Sequence, residues 1–264
     1  MSILESIILG IIQGLTEFIP VSSSGHEVLA VHFFGAAHDH LFLEFINAGT
    51  VLALLIFFRK RILSILHDIF VERNLRLARN IVISAVPAGV VGFTFASVIE
   101  TNSFFSNPWV VSVMMLVVGI VMIVLEKLPR LSDKKDGEAL SGKRALGVGL
   151  AQVIALIPGT SRSGSTIIAG RLMGLSPAAA AEYSFLLSIP IMLGVLVKLA
   201  LKDSDRAYFF ANLTPILISN AFALVSGLLA VGFLMRYLAH HDLKVFGWYR
   251  VGLAVVVMGV LLLQ

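Results

Sequence analysis

Gly10–His26 reads GIIQGLTEFIPVSSSGH, and Gly149–Thr166 reads GLAQVIALIPGTSRSGST. Both segments carry an apolar run, then a proline, then a cluster of hydroxyls with glycine. Placed 139 residues apart, the two copies match at Gly10 and Gly149, Gln13 and Gln152, Ser22 and Ser161, Ser24 and Ser163, and Gly25 and Gly164. The repeat predicts a chain of two related halves, each interrupted by a polar break.

The composition predicts a multi-span integral membrane protein. Of 264 residues, 58% are hydrophobic and 14% are charged, whereas soluble domains carry about 25% charged residues. The chain has no cysteine, which excludes disulfides, thiol nucleophiles and thiolate metal sites. The net charge of +4 is concentrated in a few loops, so we expect it to orient the chain in the membrane and expect no nucleic-acid partner.

Six apolar runs are long enough to span a bilayer. They are 41–58, 80–99, 109–126, 178–200, 213–235 and 249–264. Two further segments, 1–36 and 145–175, are each split by a polar break, and neither half spans comfortably. Irregular backbone at membrane depth is tolerated only inside protein or beside a wet cavity. We therefore expect two re-entrant helix hairpins that enclose a polar site.

The charged loops orient these segments. Loops 59–79 and 127–144 are both basic, whereas 100–108 contains no lysine or arginine. By the positive-inside rule, the two basic loops are cytoplasmic. The first hairpin then enters from outside and the second from inside.

Opposite orientation of the two hairpins is the pattern of an inverted-topology repeat, whose site lies where the repeats meet. The expected fold is a single all-α polytopic membrane domain over 1–264. Repeat one covers about 1–126, repeat two about 145–264, and the cytoplasmic loop 127–144 joins them.

The first hairpin carries an unusual set of polar residues. Gln13 and Glu17, spaced i and i+4, share a helix face, and Ser22, Ser23, Ser24 and His26 follow Pro20. A glutamate at membrane depth is costly and usually functional, and serine becomes a nucleophile when a base such as histidine assists it. The alternative is that the serines only cap the following helix.

The second hairpin carries a hydroxyl- and glycine-rich turn, Pro158–Thr166, that leads into a helix. Backbone N–H groups at a helix start and the Arg162 guanidinium suit a phosphate. The Gly-Lys-Ser/Thr ending of a Walker A loop is absent. The alternative is a flexible linker, which does not need an arginine between two apolar runs.

Other polar residues give weaker signals. Glu44, Asn47 and Glu182 open spans, where capping is as good an explanation as function. Tyr249, with Trp109 and Trp248, fits an interfacial anchor.

Together the two breaks indicate a phosphorylated substrate. An acid, hydroxyls and an imidazole on one hairpin face an arginine and an amide-lined turn on the other. A carboxylate beside an anion-binding loop suits a phosphate bridged by a divalent cation. Since nothing in the sequence indicates a water-soluble domain, we expect an amphiphile that reaches the site through the membrane.

At these residues the chain resembles the undecaprenyl-diphosphate phosphatase family, bacterial proteins linked with bacitracin resistance. Gln13–His26 corresponds to the family's Glu/Gln-x-x-x-Glu motif and its following histidine. Pro158–Thr166 corresponds to the Pro-Gly-x-Ser-Arg-Ser-x-x-Thr motif. The resemblance extends over the whole chain, including Glu44 and Glu182–Pro190.

The resemblance implies an enzyme that hydrolyses undecaprenyl diphosphate to the monophosphate and phosphate. This reaction recycles the lipid carrier of peptidoglycan synthesis. The resemblance also implies a multi-pass protein of the bacterial inner membrane with six spans and two re-entrant hairpins. Its site would open to the periplasmic side, use a divalent cation (Mg²⁺ or Ca²⁺), and belong to a homodimer.

The resemblance also implies residue roles. Glu17 corresponds to the cation-associated carboxylate, Ser23 to the candidate nucleophile, His26 to the essential acid or base, and Arg162 to the diphosphate-binding arginine. Substrate contacts are expected from Ser161, Ser163, Gly164 and Thr166, and from Ser22 and Ser24. Gln13, at the first motif position, is expected beside the cation but supplies no charge. Glu27 lies outside the motif, and we expect it to be an exposed hairpin residue; the alternatives are that it orients His26 or adds a cation ligand.

Several alternatives stay open on the sequence alone. The nucleophile is Ser23, His26 or water. Inverted repeats with broken helices are also typical of transporters, so a transporter or flippase of a lipid-linked or organic anion competes with the enzyme. A membrane scaffold is the third class.

Overall fold

The structure is a computed structural model that describes residues 2–34, 40–128 and 133–263. Thirteen α-helices form in these ranges. They are α1 (Ile3–Phe18), α2 (Ser23–Phe34), α3 (His40–Phe57), α4 (Arg59–Phe70), α5 (Arg76–Thr94), α6 (Ala96–Thr101), α7 (Pro108–Leu125), α8 (Gly142–Ile154), α9 (Arg162–Leu172), α10 (Pro177–Leu201), α11 (Asp203–Ala211), α12 (Leu213–Leu238) and α13 (Lys244–Leu263). The described ranges hold no strand beyond one bridge between Lys134 and Leu175, so the predicted all-α class is confirmed.

Helices suited to a membrane span coincide with the predicted apolar runs. Within the described residues, α5, α7, α10, α12 and α13 are each long and apolar enough to cross a bilayer. The run 41–58 forms α3, which meets the same test only together with α4, across a bend of 70°. Five to six helices of the required kind are therefore present.

Two segments between the predicted spans are helical rather than irregular. Most of 59–79 is α4, and most of 201–212 is α11. Helix α4 has no buried residue and carries Arg59, Lys60 and Arg61 in its first turn. Apolar run length identifies spanning helices only, so these short polar helices escape it.

Both polar breaks predicted from the repeat are present. Helix α1 ends at Phe18 and α2 begins at Ser23, while α8 ends at Ile154 and α9 begins at Arg162. Ile19 is extended, with ψ of 132°, and helical geometry is disfavoured for a residue before proline. Each predicted hairpin is thus a helix–break–helix unit.

Helices of the two halves pack against each other across the molecule. Helix α1, of the first half, lies along α12, and α8, of the second half, lies along α5. Glycines permit the first of these contacts: a Cβ added at Gly10 would lie 2.2 Å from the Ser219 carbonyl oxygen, and one at Gly14 would lie 2.0 Å from Ser226 Oγ. Small residues allow such close approach between membrane helices. Because α1 packs on the second half and α8 on the first, the two breaks come together in the interior.

Candidate active site

The two breaks share one unusual local geometry. Ser22 and Ser161, aligned by the repeat, both have positive φ angles, 78° and 75°. Ser22 Oγ accepts a hydrogen bond from the Gly25 N–H at 3.2 Å, and Ser161 Oγ accepts one from the Gly164 N–H at 3.1 Å. Left-handed backbone is costly for serine and persists where the surroundings impose it, often at functional sites. The capping role expected as an alternative in the first hairpin is therefore real for Ser22, and Ser161 has the same role in the second.

The breaks meet at Glu17, near the end of α1. Its carboxylate forms an ion pair with Arg162 of α9, and its backbone carbonyl accepts a hydrogen bond from Ser163 Oγ at 3.3 Å. The side chains of Arg162 and Glu17 are only 19% and 12% exposed. The acid of the first hairpin and the arginine of the second, expected to share one pocket, are in direct contact.

Glu17 also receives hydrogen bonds from its own hairpin. Ser23 Oγ donates to Glu17 Oε2 at 2.7 Å, and Gln13 Nε2 donates to the same oxygen at 3.3 Å. Gln13 Nε2 also donates to Asn47 Oδ1 of α3 at 2.8 Å. A carboxylate that accepts from Ser23 is placed to take up its proton when the hydroxyl acts as a nucleophile.

His26 lies on α2 next to this cluster but bonds to other groups. Its Nδ1 is 2.7 Å from the Ser22 carbonyl oxygen, and its Nε2 is 2.8 Å from the Tyr249 hydroxyl. Because the carbonyl can only accept, Nδ1 carries the proton. The ring stacks on Tyr249, with centroids 5.9 Å apart. The described contacts therefore pair Ser23 with Glu17, not with His26.

Three more predicted residues remain, Thr166 and Gly164 at the second break and Ser24 at the first. Thr166 is 1% exposed, and its hydroxyl is 2.6 Å from Ser184 Oγ of α10. This contact connects α9 to α10 beside the site. Gly164 approaches the Met122 side chain, which is 3.0 Å from a Cβ built there. Ser24 is exposed, with its Oγ 3.5 Å from Ser22 Oγ.

Arg250 is a residue that the sequence reasoning missed. It lies in α13, is fully buried, and donates to carbonyl oxygens of both breaks. These are Pro20 O at 3.2 Å, Thr160 O at 3.1 Å and Gly159 O, with Met115 O of α7 at 3.4 Å. An arginine inside the apolar run 249–264 was the signal that could have found it, since a charge at membrane depth usually has a function.

Tyr249 was also assigned differently from sequence. Its hydroxyl bonds His26, and its ring stacks on the imidazole. The prediction of an interfacial anchor was incomplete because an aromatic side chain beside a span end can face either lipid or protein. Helix α13 begins at Lys244, so Tyr249 lies more than a turn inside it.

Comparisons with known proteins agree with the motifs. The family described as bacitracin resistance protein BacA matches residues 6–256. A protein of Clostridioides difficile named undecaprenyl-diphosphatase 1 is 40% identical, over 98% of this chain and 96% of its own length. Undecaprenyl-diphosphatases of Nitrosomonas europaea and Neisseria meningitidis are each 36% identical, over 97% of this chain and 93% and 95% of theirs.

Proposed function

The chain belongs to the family of bacitracin resistance protein BacA, and we propose that the two breaks form the active site of its undecaprenyl-diphosphatase activity. The chain hydrolyses undecaprenyl diphosphate to undecaprenyl phosphate and inorganic phosphate, which recycles the lipid carrier for cell-wall synthesis and gives bacitracin resistance. The single observation that carries the site is the Glu17–Arg162 ion pair across the two breaks, with the Ser23 hydroxyl on the same carboxylate.

Arg162 and the second break bind the diphosphate. A guanidinium at the start of α9 adds a full charge to the N-terminal end of the helix dipole. A diphosphate bound there replaces Glu17 as the partner of Arg162 and leaves the Glu17 carboxylate free to act on Ser23. Preorganised positive charge of this kind is usually the largest contribution to catalysis.

Ser23 is the nucleophile that the contacts favour. Its oxygen attacks the terminal phosphorus, its proton passes to Glu17, and the P–O bond to the bridging oxygen breaks, so undecaprenyl phosphate leaves. Water then hydrolyses the phosphoserine. The hydrogen bond of 2.7 Å from Ser23 to Glu17 supports this assignment. To His26, held by Tyr249 and the Ser22 carbonyl, we assign the exchange of a proton with the leaving group or with the attacking water, the acid or base role that the resemblance implies.

We also propose that a divalent cation binds together with the substrate. No group of three or more His, Cys, Asp or Glu side chains in the described ranges forms a metal site. Gln13 Oε1 is buried without a hydrogen-bond partner there, next to Glu17. Gln13 and Glu17 would hold an Mg²⁺ or Ca²⁺ ion there together with the substrate, since Mg²⁺ is usually bound by few protein oxygens plus substrate phosphates. Such an ion would neutralise phosphate charge.

The membrane arrangement is proposed with the site. Helices α3, α5, α7, α10, α12 and α13 form six spans, and α1–α2 and α8–α9 form two re-entrant hairpins of an inverted repeat in the bacterial inner membrane. The basic segments 59–79 and 127–144 support a cytoplasmic side there. That the site opens to the periplasm rests on the resemblance. A homodimer is part of the same proposal, on the resemblance alone.

Phosphate release by the purified protein tests the proposal. We expect inorganic phosphate from undecaprenyl diphosphate without any ion gradient, and loss of release in chelator. Arg162→Ala, Glu17→Ala and His26→Ala should each lower the rate by about a hundredfold or more. Near-normal turnover by Arg162→Ala would remove the phosphate-binding role, and wild-type protein without release would favour a transporter.

A further inference from the structure

Glu27 is a carboxylate that the activity described above leaves without a role. It lies on α2 one turn after Ser23, and residues spaced i and i+4 share a helix face. Since the Ser23 side chain reaches Glu17 at 2.7 Å, this face of α2 is turned toward Glu17. The two carboxylates are close enough to interact electrostatically. Glu27 therefore lies beside the site, on the same side as Glu17.

The neighbouring basic groups are already engaged elsewhere. Both ring nitrogens of His26 have partners other than Glu27, so Glu27 does not orient that imidazole. Arg162 pairs with Glu17, and Arg250 donates to backbone carbonyls. Glu27 is half-buried and has no hydrogen bond or ion pair with any residue in 2–34, 40–128 or 133–263. A carboxylate at membrane depth is costly without a positive partner.

Gln13 provides an independent sign of a missing positive partner. Its Nε2 is fixed as the donor end of the amide because it points at two acceptors, Glu17 Oε2 and Asn47 Oδ1. The other end is therefore the carbonyl oxygen Oε1. This atom is buried, on a side chain only 3% exposed, and has no partner among the described residues. Buried carbonyl oxygens are nearly always satisfied, and this one lies on the amide that contacts Glu17.

Resting on the proposed function, we infer that Glu27 is a ligand of the divalent cation. Glu27, Glu17 and the Gln13 carbonyl oxygen form the protein's part of the cation site, and diphosphate oxygens and water complete it. Three oxygen donors of this kind suit a hard cation. Gln13 brings no charge, so Glu27 supplies a second negative charge beside that of Glu17.

Binding of Mn²⁺ to the purified protein tests the inference without measuring catalysis. Electron paramagnetic resonance would measure the signal of free Mn²⁺ in a detergent solution of the protein. Methylenediphosphonate, a non-hydrolysable diphosphate, would stand in for the substrate, and Mg²⁺ would compete with Mn²⁺ for the site. We expect Glu27→Gln to weaken Mn²⁺ binding by about tenfold or more, the usual effect of disturbing a metal site. Glu72→Gln, which removes the same charge from an exposed turn, should leave Mn²⁺ binding unchanged.

Moving the carboxylate provides a stricter test. Adding Gln13→Glu to Glu27→Gln returns one negative charge to the site, and we expect it to recover most of the lost Mn²⁺ affinity. A purely structural role for Glu27 would not produce this rescue. If Glu27→Gln does not yield monodisperse helical protein, Glu27→Leu, which suits an apolar setting, should show the same loss.

The outcomes separate this inference from the proposed function. Suppose that the wild-type protein releases phosphate normally. If Glu27→Gln or Glu27→Leu then binds Mn²⁺ with wild-type affinity, the cation role of Glu27 alone is overturned. Wild-type protein that releases no phosphate from undecaprenyl diphosphate overturns the proposed function, whatever the Mn²⁺ result.

Discussion

Glu17 connects the polar groups of both breaks. Arg162 pairs with its carboxylate, Ser23 and Gln13 donate to it, and Ser163 donates to its backbone carbonyl. In a site with little water these interactions are stronger than at a surface, and an unpaired member is correspondingly costly. Glu17 is thus both a structural connection between the halves and the acceptor nearest the proposed nucleophile.

Ser23→Ala tests which atom attacks the phosphorus. With substrate labelled on the terminal phosphate and a rapid denaturing quench, we expect label on wild-type protein and none on Ser23→Ala. The reason is that only the Ser23 oxygen can carry the phosphoryl group in the proposed route. The measurement is protein-bound label after separation from lipid.

Ser103→Ala, on an exposed turn, serves as the control and should carry label as wild type does. Label on Ser23→Ala protein, or label mapped to His26 in the wild type, would replace serine by histidine as the nucleophile. Turnover of wild type with no bound label at any quench time would favour direct attack by water.

The breaks themselves depend on support from a helix far along the chain. Ser22 and Ser161 hold left-handed backbone, and Arg250 of α13 binds the carbonyls of Pro20, Gly159 and Thr160. Carbonyl groups in a helix break have no helical partner, and leaving them unsatisfied in the interior is costly. Arg250 therefore fixes both breaks in one relative position.

Arg250→Met should destabilise the protein and abolish activity together. The apolar chain has a similar length but leaves the buried carbonyls without a donor, at a cost of at least about 2 kcal/mol. Thermal unfolding in detergent, followed by circular dichroism, measures the loss. Arg236→Met, an exposed position on α12, should change little. Equal stability of Arg250→Met and wild type would contradict the supporting role.

The α1–α12 contact offers a second test. Gly14→Ala places a Cβ 2.0 Å from Ser226 Oγ and 2.5 Å from the Ala223 carbonyl oxygen, so α1 must move and carry Glu17 with it. We expect a loss of about 1–3 kcal/mol in unfolding free energy and a clear drop in phosphate release. Gly89→Ala on α5, where nothing lies within 4 Å, should be neutral. A fully active Gly14→Ala protein would show that the packing of α1 does not position Glu17.

In the whole molecule, helices of each half pack against helices of the other half. Helix α1 packs on α12 and α8 packs on α5, while α3 also meets α10. Each break is therefore held by helices of the other half, and neither half could complete the site alone. The proposed inverted repeat, with its site where the repeats meet, predicts this arrangement.

Single cysteines test the proposed orientation, since the chain has no cysteine of its own. We expect Ser103→Cys and Ser204→Cys to react with a membrane-impermeant maleimide in intact spheroplasts. Glu72→Cys and Lys143→Cys should react only after lysis, because the proposed orientation puts the basic segments in the cytoplasm. All four positions are exposed. Labelling of Glu72→Cys in intact cells would reverse the assignment.

The chain's pattern was sufficient to predict the long apolar helices, the two breaks and two residues of the candidate site. Apolar run length indicated the spanning helices, and the paired prolines with their hydroxyls located both breaks to within a few residues. Glu17 and Arg162 stood out because ionisable residues are rare and costly in such surroundings. The short helices α4 and α11 were missed since their polar sequences resemble loops when only apolar length is considered.

Only the packed helices determined which of these groups touch. Ser23 bonds Glu17 rather than His26, Tyr249 holds the imidazole, and Arg250 joins the two breaks. These contacts depend on the rotation and separation of helices that are distant in sequence, which the periodicity of one segment does not encode. Hydrophobicity reports whether a residue is buried, whereas the partner of a buried polar group is set by the neighbouring helix that faces it.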